Sequence, residues 1–88
     1  MSIEMKKEDL RIYARLDIIS QLTLVKEHCS ILEEKYHLSF EDFEKKMAEQ
    51  EIFEEWDDYI EWKAYQQKKR DLEMKLAEID RADSFRIT

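Results

Sequence analysis

The ten residues LDIISQLTLV, Leu16 to Val25, decide the fold. At the helical spacing of about 3.6 residues per turn, Leu16, Ile19, Leu22 and Val25 belong to a wide stripe that runs from Ile12 through Cys29 and Leu32 to Tyr36. Leu24 lies on another side, together with Leu10, Tyr13 and Ile31. The segment is therefore apolar nearly all round. A two-stranded seam needs only a narrow stripe, so one antiparallel neighbour leaves part of this helix bare.

Working outward, the pattern predicts one long helix over residues 6–36, about 45 Å at 1.5 Å per residue. It should stop at YHLSF, Tyr36 to Phe40. Ser39 reads as an N-cap, Asp42 stands at the capping-box position, and Leu38 and Phe43 occupy the two positions of a hydrophobic staple. A short second helix over 40–48 follows, with Phe40, Phe43 and Met47 as its apolar face and acids leading lysines, the order that the helix dipole favours.

That charge order starts afresh after Glu51, which predicts a third helix over 52–80; since neither Gly nor Pro intervenes, a continuous, bent helix is the alternative. Phe53, Trp56, Ile60 and Ala64 share one face of it, while Tyr65, Leu72, Leu76 and Ile79, with Trp62 nearby, share another. We expect the Phe53 face to pack beneath the short helix, against Tyr36, Leu38, Phe40, Phe43 and Met47, with Trp56 and Ile60 in the core. The later stripe should run antiparallel along the first helix. Tyr59, Trp62 and Tyr65 are then the expected partner contacts, because Trp and Tyr join rigid area to a polar handle. Phe85 and Ile87, alternating with polar neighbours in the tail 81–88, are expected to add as a strand to a partner's sheet edge.

The expected fold is thus all-α, a single helical domain over 1–88: a long helical hairpin with a short helix at the bend. Ile18, Leu22, Leu24 and Val25 are expected to form a homodimer interface that completes a bundle. The total absence of Gly and Pro agrees, because hairpins and tight loops usually need them. Charged residues make up 42% of the chain and the net charge is −7, which argues against nucleic acid as a partner and for a basic or neutral one. No apolar run approaches the roughly 20 residues of a membrane span. With no hydrophobic leader in MSIEMKKEDL and a lone Cys29 unable to form an intrachain disulfide, a cytoplasmic protein is expected.

Catalytic chemistry finds little support. Glu34 and His37 make one Glu-x-x-His step of the kind that di-iron bundles use in pairs, and His28 has Val25 three residues before it, so no second step exists. The acids Glu51, Glu54, Glu55, Asp57, Asp58 and Glu61 lack the alternating ligands and central Gly of a calcium loop and read as a solvated helix start. Lys68, Lys69 and Arg70 point in three directions around a helix. No enzyme activity, metal or cofactor is expected.

YHLSFEDFEKK (36–46) and FEEWDDYIEWKAY (53–65), followed by a Leu-bearing charged helix, together resemble small all-helical prokaryotic proteins, among them antitoxin components of toxin–antitoxin pairs. The resemblance spans Tyr36 to Ile79. It implies a nonenzymatic acidic protein that wraps and neutralises a basic toxin, with Ser39, Phe40, Phe43, Trp56, Asp57, Tyr59, Trp62 and Tyr65 as shape and contact positions. No DNA-binding domain of the usual antitoxin kind is recognisable. The alternative is a self-assembling structural or adaptor bundle.

Overall fold

The computed structural model describes residues 7–50 and 52–84. Three helices follow one another: α1 (Lys7–Tyr36), α2 (Phe40–Glu49) and α3 (Phe53–Ser84), and no strand occurs among the described residues. Positions 15 and 80, 28 and 65, 29 and 66, and 35 and 58 meet across the molecule. Advance along α1 is matched by retreat along α3. The two long helices are therefore antiparallel, and α2 sits across the bend.

The hinge is built as its residues dictate. His37 takes a left-handed conformation, φ 56°, and its N–H donates to the Glu33 carbonyl at 2.7 Å, a helix stop that glycine usually supplies. Ser39 then adopts an extended conformation and its Oγ accepts from the Asp42 amide at 3.2 Å, capping α2 as expected. At the far end of α2, Gln50 is extended, φ −130° and ψ 114°, so α2 and α3 are separate helices rather than one bent rod.

The core is a single seam. Ile18, Leu22, Val25, Cys29 and Leu32 from α1 meet Trp62 and Leu72 from α3, and Phe43 and Met47 close the seam from α2. Phe43 and Trp62 are fully buried. Tyr36, Leu38, Phe40, Tyr59, Tyr65, Leu76 and Ile79 pack around them. The result is long and thin, with extents of 57 × 33 × 17 Å and a radius of gyration of 18.1 Å, against about 12 Å for a compact domain of this length.

Two expectations about packing are corrected. Phe53, Trp56 and Ile60 do not lie under α2: they are exposed by 89%, 45% and 53%, and Trp62 with Tyr59 takes their place. The reason is continuity. Trp62 prolongs the stripe of Tyr65, Leu72, Leu76 and Ile79, so a straight α3 serves both α1 and α2 with one face and buries its largest side chain in doing so. At the opposite end of the hairpin, Ile12 and Leu16, expected in the core stripe of α1, are more than half exposed.

Candidate interaction surfaces

The bend gathers rings from all three helices. Trp62 sits 5.2 Å from Phe43, 5.5 Å from Phe40 and 6.3 Å from Tyr36, centroid to centroid, while Tyr59 stacks over Phe40 at 6.1 Å. Polar tips close the cluster. Tyr36 Oη donates to the Asp58 carboxylate, which also receives Lys35 Nζ at 2.6 Å, and Tyr59 Oη donates to Glu44 at 2.8 Å. The Lys35 ammonium and the Tyr36 hydroxyl hold the Asp58 carboxyl below the usual carboxylate range, and burial together with that carboxylate pushes the Tyr36 phenol up. Lys46, 3.3 Å from Glu55, ties α2 to the start of α3.

This cluster absorbs the residues expected as partner contacts. Trp62 is wholly enclosed by its own chain and so is core, not contact. Its indole Nε1 finds no hydrogen-bond acceptor. Tyr59 and Tyr65 are half-buried, the latter stacked on His28 at 4.6 Å with its hydroxyl donating to Glu61 at 3.2 Å. Phe85 and Ile87 lie outside the described residues. Of the four expected dimer residues, Ile18, Leu22 and Val25 are buried within the hairpin seam by the chain itself; Leu24 alone is open, at 58% exposure.

What remains accessible is two outer faces. On α1, Leu10, Tyr13, Leu16, Leu24 and Ile31 are each more than half exposed, and the acids Asp9, Asp17, Glu27 and Glu34 stand among them. On α3, Phe53, Trp56, Ile60 and Met74 are exposed on the side turned away from the core. The second of these faces was legible as an apolar stripe, with its first three members at i, i+3 and i+7, but its exposure was not. Chain surface totals 7326 Å², against about 5,600 Å² for a compact folded protein of this mass.

Two depressions lie among the described residues. A shallow depression on α1 is lined by Thr23, Lys26, Glu27, Ser30, Ile31 and Glu34, and another at the hinge by Glu33, His37, Leu38, Ser39 and Asp42; both are open to solvent. Glu34 and His37 gain no companions, since no group of three or more His, Cys, Asp or Glu side chains among the described residues is arranged to hold a metal ion. No described helix is long and apolar enough to cross a membrane. Sequence comparison matches residues 2–84, nearly the whole chain, to one family. The chain belongs to the uncharacterized protein MJ0235 family. No curated protein and no solved structure matches this MJ0235-family chain.

Proposed function

We propose that this chain is a nonenzymatic protein-interaction module whose partner, a basic protein, lies along the outer face of α1. One observation carries the reading: six large apolar side chains of α1, the five of its outer face and Ile12 beside them, stay in solvent after the hairpin has completed its core without them. Exposed apolar area rimmed by charge marks association surfaces. The rim here is acidic, with Asp9, Asp17, Glu27 and Glu34 among the apolar residues, so the complementary surface is an apolar groove edged by Lys or Arg. The antitoxin-like reading follows from the same features, an acidic helical protein covering a basic toxin. The buried, unpaired Cys29 fits a reducing cytoplasm.

A tagged pull-down from native lysate, nuclease-treated and read by mass spectrometry, tests this against Leu24→Glu and Ile31→Glu, two changes at exposed positions. The expected result is a small basic protein, captured stoichiometrically by the native chain, lost with either variant, and toxic to growth when expressed alone. Capture that survives both variants would remove the α1 face, and a captured protein without growth effect would remove the antitoxin reading. Completion of the bundle by a second copy is the other reading, favoured by the charge pattern on α3.

A further inference from the structure

We propose that the outer face of α3 is self-complementary and that two copies of the chain associate through it as an antiparallel, two-fold pair. The inference concerns a different face from the partner site on α1, and it stands if that site fails. Three features of α3 carry it.

Phe53 and Met74, the first and last exposed apolar residues of the stripe, are equidistant from a centre between Lys63 and Ala64. Turning a second α3 end for end about that centre sets Phe53 opposite the partner's Met74, Ile60 opposite the partner's Gln67 and Trp56 opposite the partner's Asp71, with the small Ala64 where the helices come closest. A two-fold interface requires such reciprocity, because each residue must meet its mate in both directions.

Charge reads the same way. One flank of the stripe carries Asp57 and Glu61 in its first half, then Lys68 and Lys75 in its second. An antiparallel two-fold brings this flank against itself. About that centre Glu61 lies within about one helical turn of the partner's Lys68, opposite sign against opposite sign. Asp57, Lys68 and Lys75 enter no ion pair among the described residues, and Glu61 only accepts from Tyr65, whereas the neighbouring Asp58 and Glu55 are already taken by Lys35 and Lys46. The acids that face outward are the unclaimed ones.

The central lysine is also drawn aside. Lys63 stands near the two-fold axis, where a second ammonium would repel it, but its Nζ is 3.8 Å from Glu44 and lies over the Tyr59 ring at 5.7 Å. The outer face of α1 has no comparable symmetry: acids occupy both its halves, so a second copy would oppose carboxylate with carboxylate.

Sedimentation equilibrium of the purified chain over a wide concentration range tests the proposal. The native chain should be a dimer; Ile60→Glu should weaken it by about thirtyfold or more, as expected for loss of an interface anchor, while helical circular dichroism is retained. Glu61→Lys and Lys68→Glu should each weaken the dimer, and the double exchange should restore it, since the pair is re-formed with its signs reversed. Leu24→Glu should leave it intact. A monomer at every concentration would overturn the proposal, as would a dimer indifferent to Ile60→Glu or a double exchange no better than the single ones. A dimer lost with Leu24→Glu alone would place self-association on α1 and overturn it too.

Discussion

Tyr36, the last residue of α1, donates its hydroxyl to Asp58 in the second turn of α3, fastening the two long helices where the chain reverses. Lys35 shares the same carboxylate. Asp58 is held below the ordinary carboxylate range by Lys35 first and Tyr36 second, so its contribution is present above the unfolded value of about 3.9 and is lost as pH falls through the lower folded value. Tyr36 is shifted upward, chiefly by burial, so its contribution is present below about pH 10 and lost as pH rises beyond that. Asp58→Asn should cost about 1 kcal/mol at neutral pH and flatten the acid side of the stability profile. Tyr36→Phe should flatten the alkaline side. Urea unfolding at stepped pH measures both, and an unchanged profile in either variant would count against the assignment.

The two tryptophans differ sharply in surroundings. Trp62 is fully buried among Tyr36, Phe40 and Phe43, so Trp62→Ala should cost about 3–5 kcal/mol. Trp56→Ala, at a position 45% exposed, should cost about 1 kcal/mol or less in dilute solution. Trp62→Phe should be milder than Trp62→Ala, since it keeps a ring and removes an indole N–H that has no acceptor. Chemical denaturation orders the three, and equal losses from the two alanine variants would contradict the burial of Trp62.

His37 occupies a backbone conformation that costs an L-residue roughly 1–2 kcal/mol. His37→Gly should raise stability by a few tenths to about 1 kcal/mol, because glycine removes that cost but adds freedom to the unfolded chain. His37→Val should lower it, a β-branched residue being poorly accommodated there. Thermal melts of the two variants should move in opposite directions.

Cys29 is buried in the seam, with the Gln66 amide 3.9 Å from its sulfur. Burial pushes its thiol above the ordinary value, Lys69 partly opposes this and Glu33 adds to it, so little reactive thiolate forms near neutrality. Labelling by a thiol reagent should be slow in the native protein and should accelerate with denaturant in step with unfolding. Rapid native labelling would show the seam to be open.

The hinge was legible in the sequence because its signals are local. Ser39 caps α2 through Asp42 as its spacing implied, and the restart of acids before bases after Glu51 marked a new helix. The seam of α1 was legible from Leu22 to Leu32, where apolar spacing and burial agree. Which face of α3 turns inward was not. Phe53, Trp56 and Ile60 make as good a stripe as Tyr59, Trp62 and Tyr65, and the choice depends on α3 presenting one continuous face to two different helices, which helical spacing in a single segment does not encode. The same gap hid the outer faces: apolarity is written in the residues, but exposure follows only from which partners the hairpin itself supplies.

The unequal fastening of the hairpin's two ends has a further consequence. Near the bend lie the stacked rings, the Tyr36–Asp58 bond and the Lys46–Glu55 pair; towards the opposite end Arg15 meets Asp80 at 3.0 Å with both side chains about half in solvent, and Leu10, Ile12 and Tyr13 are bare. Because the buried core is concentrated towards the bend, local opening should start at the other end and run towards it like a zip. Amide hydrogens around Leu32 should outlast those around Ile12 in deuterium exchange, and a helix that unzips this way gives a binding partner a loose end to grasp before the tight one yields.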